Sequence, residues 1–380
     1  MRTEGIISPA DTGLIKALEG LAMNDAQRQR SADFIGVKLP YSRAENWRWT
    51  DLHGAVRKSL TGSDDIVKTN DRVSLSGDNQ DTAAFNSHHF DQISLLAGAF
   101  ASDQSLVSYL IEQNSPDPLV LTTSNDSLLG GSHVQIRLKA GCHAILLEQV
   151  DRPKNGMSVD VREFVVEPGA HLSRILICEN APEQTRINQA FVEVGENGHY
   201  TQFIMDFGAR LSRIEAHITY TGSNANVTLN GAYLLDGIAR ADATSIVHHK
   251  TPGCTTRQLH KGVVLGQAQA VFQGKFHVDR LGQQTDAQMG HHSLLLSEQG
   301  RVRAKPELEI YADDVACAHG NTTGSLDKEA LFYMRQRGLP DADARTLLTR
   351  AFLVETAASL PDDLRTQVCL DMDNWLERQL

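Results

Sequence analysis

This sequence lacks an excess of basic residues: 36 Lys and Arg stand against 47 Asp and Glu, and the formal net charge at pH 7 is −11. Nucleic-acid backbones and anionic membranes attract basic surfaces, so neither is expected as a main partner. No segment approaches the roughly 20 consecutive apolar residues that span a bilayer, and the first residues contain no apolar run of signal-peptide length. The sequence therefore predicts a soluble, cytoplasmic protein.

Cysteine is also scarce, with five in 380 residues. An odd number of scattered cysteines does not form a disulfide framework, so reduced thiols are expected. The phosphate loop G-x-x-x-x-G-K-[ST], the dinucleotide fingerprint G-x-G-x-x-G, the pair C-x-x-C and the zinc motif H-E-x-x-H are all missing from the sequence. The chain therefore has no recognisable catalytic apparatus, and any energy input has to come from a partner.

Three regions differ in sequence texture. Residues 1–80 are predicted to form a helical region and a linker, because Leu14, Leu18 and Leu21 recur at helical spacing and the stretch 61–85 is polar and turn-rich. Residues 81–324 are predicted to form the core, since short apolar and β-branched runs alternate there with Gly, Asn and Asp turns. Residues 325–380 return to helical periodicity.

The long series of short strands fits a sandwich, a barrel or a β-helix. The evenness and number of the strands favour a solenoid, in which every coil needs a few apolar residues and a corner. No strict sequence repeat is visible. The residues alone therefore predict a mainly β protein with helices at both ends.

The stretch PELEIYADDVACAHGNTTG, at Pro306–Gly324, contains the main candidate for chemistry. Leu308 and Ile310 alternate with charged neighbours, which predicts that a buried strand begins here. Cys317 and His319 are two positions apart, so on a strand their side chains share a face. A thiolate and a neutral imidazole side by side can bind a soft or borderline metal, although isolated C-x-H is a weak motif and both residue types are also common packing residues.

Two adjacent histidine pairs stand in the strand region, His248–His249 and His291–His292. Neighbouring residues on a strand point to opposite faces, so neither pair can chelate a metal by itself. We expect one member of each pair to line the core and the other to face solvent, in structural roles.

The segment from Ser245 to Gly338 closely resembles the SufB/SufD family of the SUF iron–sulfur cluster assembly machinery. The matching pieces include VHHKTPGCTTRQLHKGVV, AVFQGKFHV and LLLSEQGRVRAKPELEIYADDVACAHGNTTGSLDKEALFYMRQRG. Upstream, ENWRWTDL at Glu45–Leu52 is similar to the family's E-x-W-[KR]-[YW]-T signature. The form C-A-H-G is that of the SufD branch, whereas SufB chains have a different set of cysteines. Asn321 departs from the pattern, because relatives usually have Ala there.

The resemblance implies a right-handed parallel β-helix between N-terminal and C-terminal helical regions, and the role of a non-catalytic scaffold subunit. Such a subunit pairs with a SufB-like chain through the β-helices and binds a SufC-like ABC ATPase through the C-terminal helices. Cys317 and His319 correspond to the family's interface cysteine and histidine, so they are candidate ligands of iron or of a transient iron–sulfur cluster shared with the partner. No cofactor held permanently by this chain alone is expected. The candidate ATPase-docking residues are Phe332, Tyr333, Arg335 and Phe352.

Two other functions stay open. A β-helix enzyme acting on polysaccharide needs carboxylates grouped on the coil, and Asp313–Asp314 is the only adjacent carboxylate pair in the predicted core, residues 81–324. An autonomous metal-binding protein, or a homodimer, would instead hold stoichiometric iron without another protein.

Overall fold

The computed structural model describes residues 8–19, 25–40, 44–60, 71–77, 80–83 and 91–380. Helices precede and follow a long series of strands within these ranges. The α-helices are α1 Pro9–Glu19, α2 Asp25–Val37, α3 Leu52–Leu60, α4 Gln92–Phe100, α5 Lys328–Gln336, α6 Asp341–Val354 and α7 Asp362–Gln379. In this part of the chain, no helix is both long and apolar enough to cross a bilayer.

The strands divide between two sheets. The strands are β1 Arg72–Leu75, β2 Gln80–Ala83, β3 Leu106–Ile111, β4 Leu119–Ser124, β5 Leu129–Leu138, β6 His143–Asp151, β7 Asn155–Val166, β8 His171–Cys178, β9 Ala181–Val194, β10 His199–Asp206, β11 Ala209–Tyr220, β12 Asn226–Leu235, β13 Arg240–His249, β14 Thr255–Val264, β15 Gln269–Val278, β16 Thr285–Leu295, β17 Arg301–Ile310 and β18 Val315–Gly324. From β3 onward, successive strands alternate between the sheets, and each strand pairs in parallel with the strand two places along. The result is a parallel β-solenoid of about eight turns, so the predicted mainly β, helix-flanked β-helix is confirmed.

Two short strands lie inside the stretch that the sequence indicated as a linker. β1 pairs with β4 and β2 pairs with β3, both antiparallel, on the first coil. Tertiary pairing overrides weak local propensity here, because each segment is only four residues long and partly polar. Residues 61–70, 78–79 and 84–85 of that stretch lie outside the described residues. Division of the chain into units at positions 80 and 324 stays a prediction.

Apolar side chains form three layers. The lumen between the sheets holds the largest cluster, with residues such as Ile136, Phe164 and Val192. Helices α1–α4 bury apolar faces against the outside of the odd-numbered sheet, which contains β3, β5 and the later odd-numbered strands up to β17. Helices α5–α7 bury apolar faces against the outside of the even-numbered sheet, which contains β4, β6 and the later even-numbered strands up to β18. There Trp375 joins a cluster with Phe203. Because helices cover both flanks, the solenoid can extend only along its axis.

The segment that resembles the family's N-terminal signature anchors the first helices on the solenoid. Trp47 is buried, and its ring lies over the Arg213 guanidinium with 4.0 Å between Cζ and the ring centroid. Arg213 in turn donates to Asp242 at 2.5 Å and to Glu215 at 2.9 Å. This fully buried guanidinium is therefore neutralised by two carboxylates and covered by an aromatic face.

A second ion network lies inside the lumen. Glu148 accepts from Arg162 Nε at 2.8 Å through one oxygen and from Arg174 Nε through the other, and all three side chains are almost completely buried. Burial opposes ionisation of Glu148, but the charges of Arg174 and Arg162 outweigh it and hold the pKa of this carboxyl below its ordinary value. The remaining guanidinium nitrogens donate to Ser132, Thr123, Gln202 and Asn188.

Candidate functional site

The last coil leaves one end of the solenoid open. Among the described strands, β17 ends the odd-numbered sheet and pairs with β15 alone, and β18 ends the even-numbered sheet and pairs with β16 alone. The prediction that a buried strand begins near Pro306 is wrong, since β17 is a half-exposed edge and Ile310 is 39% exposed. Leu308 does contact the lumen core. The alternation correctly indicated a lumen-facing side, but the described chain contains no further coil to cover it.

Cys317 and His319 lie on β18, on the face that points into the lumen. They align with Ala287 and Met289 of β16, which are buried in the lumen core. The shared face predicted from their spacing is thus confirmed. Cys317 is half-buried and packs against this core, whereas His319 is exposed at the open end. Both side chains are therefore within reach of a molecule that covers the last coil.

The Cys317 thiol is not activated in the chain by itself. Partial burial raises the pKa of this thiol; a backbone hydrogen bond from Ala287 opposes the shift, and the negative charge of Asp286 adds to it. Metal coordination needs the thiolate, but the environment favours the protonated thiol at neutral pH. A metal ion binding here has to displace that proton.

Two donors do not complete a metal centre. Among the residues that the structure describes, no three His, Cys, Asp or Glu side chains converge on one metal position. Iron–sulfur clusters usually take about four protein ligands. Asp313 and Asp314, the carboxylate pair of the alternative enzyme hypothesis, are both exposed in the turn before β18.

A series of hydrogen bonds between side chains connects the buried core to the same open face. His291 is fully buried, stacks on Phe272 with 4.4 Å between ring centroids, and has its Nε2 atom 3.0 Å from the Tyr233 hydroxyl. Its Nδ1 atom lies 2.7 Å from Oδ1 of Asn321, two residues beyond His319. The prediction of one buried member in each histidine pair is confirmed, since His249 is also fully buried. Sequence reasoning missed the link to Asn321, which depends on strand register.

The docking candidates on the C-terminal helices divide into two groups. Phe332 and Tyr333 on α5 are each 64% exposed, and Arg335 is held outward by an ion pair with Asp341 at 3.5 Å. Phe352 is instead half-buried at the junction with the solenoid, where Lys261 Nζ lies 4.7 Å from its ring centroid. The exposed surface that is available to another protein is therefore the one on α5.

The local sequence fixes the position of α5. Asp327 caps its N-terminus by accepting from the backbone N–H groups of Glu329, at 2.8 Å, and Ala330. Gly338 follows the C-terminus with φ +91°, a conformation that glycine adopts without strain. The sequence leaves both Ser325 and Asp327 open as the cap and places Gly338 just after the C-terminus; the structure selects Asp327 and confirms Gly338.

Comparisons with known proteins point to one family. Residues 120–352 match the family model described as SUF system FeS cluster assembly, SufBD core domain. The chain is 25% identical over 390 residues to the iron–sulfur cluster assembly protein SufD of Escherichia coli K12, covering 92% of each chain. It is 26% identical over 386 residues to an iron–sulfur cluster assembly SufBD family protein of Mycobacterium tuberculosis H37Rv, covering 96% of each. It is also 32% identical over 209 residues to the chloroplastic protein ABCI7 of Arabidopsis thaliana, covering 54% of this chain and 44% of that one.

Proposed function

Because this chain belongs to the SufBD family of iron–sulfur cluster assembly proteins, we propose that it is a non-catalytic, cytoplasmic scaffold subunit that holds iron or a nascent cluster at the open end of its solenoid. The observation that carries the proposal is the last coil, where two unpaired parallel edges frame the exposed lumen face of Cys317 and His319. In this proposal the cluster is cargo that passes through the site.

The partner at the open end is a SufB-like chain in this proposal. Unpaired strand edges are templates for another strand, and a second solenoid stacked on β17 and β18 would cover the lumen face and continue both sheets. It would also bring the ligands that this chain lacks. A site completed by two chains suits a cluster that must be released, because separating the chains removes half of its ligands.

A SufC-like ABC ATPase would dock on α5. Exposed aromatic side chains are typical interface anchors, and Phe332 and Tyr333 are adjacent, mostly exposed residues of one short helix. The sequence has no phosphate-binding loop, so ATP hydrolysis would be carried out by that partner.

Pairing at the open end can be tested by a charge on its rim. Ile310→Lys is expected to weaken binding of the SufB-like subunit at least about tenfold, because an unpaired ammonium would be buried in the junction. Titration calorimetry with the purified subunit measures the change. Ile238→Lys is the matched control, since Ile238 is 69% exposed at a corner away from β17 and β18. Unchanged affinity in the Ile310 variant would contradict the pairing, and loss of self-association alone would identify the edge as a homodimer contact.

Docking of the ATPase can be tested on α5. Phe332→Ala and Tyr333→Ala are each expected to cost about 2 kcal/mol of binding free energy, a roughly thirtyfold rise in Kd for the SufC-like protein. Because both side chains are mostly exposed, circular dichroism of the variants should match that of the unmodified chain. Leu370→Ala, at a residue on α7 that is 50% exposed, should leave the Kd unchanged. Equal affinity of all three variants would refute docking on α5.

A further inference from the structure

Asn321 occupies a defined place beside the candidate ligands. It lies on β18 opposite His291 of β16, two residues beyond His319 and therefore on the same lumen face. The Oδ1 atom of Asn321 is 2.7 Å from His291 Nδ1, and the residue as a whole is exposed at the open end. One end of the amide thus points to the buried imidazole, and the other is available at the site.

The tautomer of His291 follows from its two hydrogen-bond partners. A carbonyl oxygen only accepts, so His291 Nδ1 carries the hydrogen, and Nε2 accepts from the Tyr233 hydroxyl at 3.0 Å. Burial lowers the pKa of His291 to about 4, although the Asn321 hydrogen bond opposes the shift, so the ring is neutral at physiological pH. The ring cannot swing away, because it lies flat on Phe272 with 9° between the planes.

We infer that Asn321 is a third functional side chain of the open end, and that its amide N–H groups, aimed outward by the Tyr233–His291 relay, donate to an anionic sulfur that is coordinated to iron held by Cys317 and His319. The inference rests on the proposed function. The sulfur is a cluster sulfide or a thiolate of the partner chain, and both accept N–H donors. Such hydrogen bonds stabilise the more negative, reduced state of a cluster and raise its reduction potential. Asn321 contacts the ligand directly in this arrangement, whereas His291 and Tyr233 are positioning residues.

The test uses the complex of this chain with the SufB-like and SufC-like proteins, loaded with ferrous iron and sulfide. Asn321→Ala is expected to make the reduction potential more negative and to speed cluster removal by a chelator about tenfold, as for loss of one hydrogen bond to a charged group. Tyr233→Phe should shift the reduction potential and the chelation rate in the same direction, but by a smaller amount. This variant removes the hydrogen bond to His291 Nε2, so the ring no longer prefers one tautomer, but it keeps the Asn321 amide. Loading with selenide instead of sulfide shrinks the Asn321→Ala difference if the acceptor is the cluster, and leaves it unchanged if the acceptor is a partner thiolate.

Thr322→Ala is the matched control. Thr322 is the next residue of β18, points to the opposite face, and makes an equivalent bond from Oγ1 to His292 Nδ1 at 2.8 Å. This variant should leave the potential and the chelation rate unchanged. In the isolated chain, the NMR chemical shifts of the imidazole nitrogens should show that His291 is the Nδ1–H tautomer. In Asn321→Ala, the same shifts should show that this preference is lost.

Three results would overturn the inference: unaltered potential and chelation rate in Asn321→Ala, an equal shift in Thr322→Ala, or an Nε2–H tautomer in the unmodified chain. If Cys317→Ala and His319→Ala complexes load normally, the proposed function fails and this inference fails with it. If those complexes do not load but Asn321→Ala matches the unmodified complex, only the role of Asn321 is wrong.

Discussion

Replacing Cys317 and His319 together by alanine is expected to reduce cluster loading of the assembled complex by at least about a hundredfold. Removing a residue that hydrogen-bonds to a metal ligand typically lowers the metal affinity about 10- to 100-fold. Removing a direct ligand should lower it by at least as much. Folding should survive, because His319 is exposed and Cys317 is only half-buried on an edge strand. Absorbance of the reconstituted cluster and an iron assay measure the loading.

Cys369→Ala is the control for this experiment, since Cys369 is also a half-buried free thiol but lies on α7, away from the open end. Its loading should equal that of the unmodified complex. Normal loading of the double variant, with the partner subunits present, would remove Cys317 and His319 from the site.

The second large effect concerns stability. Glu148→Gln is expected to lower the free energy of unfolding by about 3–5 kcal/mol, because it keeps the side-chain volume but leaves the guanidiniums of Arg162 and Arg174 without their shared carboxylate in the lumen. Urea denaturation followed by circular dichroism measures the change. Glu179→Gln removes an exposed carboxylate that pairs with Lys154, and should cost less than about 1 kcal/mol. Equal midpoints of the two variants would show that the lumen network contributes little.

The same network has a defined pH dependence. The folded-state pKa of Glu148 is lowered from 4.5, so its contribution is present above that value and is lost as the pH falls through the folded-state pKa. Glu148→Gln has no such carboxyl to protonate. The stability difference between the unmodified chain and the variant should therefore be largest near neutral pH and should shrink as the pH falls below 4.5.

Local signals predicted much of the architecture. Runs of β-branched residues between Gly and Asn turns indicated the solenoid, since every coil repeats the same strand and corner chemistry. Asp327 and Gly338 marked the ends of α5 because capping depends on a few neighbouring residues. The period of two along a strand predicted that Cys317 and His319 share one face.

What the sequence could not predict depends on contacts between distant residues. Arg162 and Arg174 are charged residues within strand-forming runs, where a solvent-facing position is the ordinary expectation, yet both side chains are buried beside Glu148. The protonated state of the Cys317 thiol depends on burial against the previous coil and on Asp286. The contact of Asn321 with His291 follows from a register that spans 30 positions of the chain.

The open end also has a consequence for the cell. β17 and β18 are each ten residues long, and no strand in the part of the chain that the structure describes pairs with their outer edges. A copy of this subunit whose open end is uncovered is therefore prone to associate with other chains through these strand edges. In the proposed assembly, the synthesis of the two chains would have to be balanced, because surplus copies of this chain expose both strand edges.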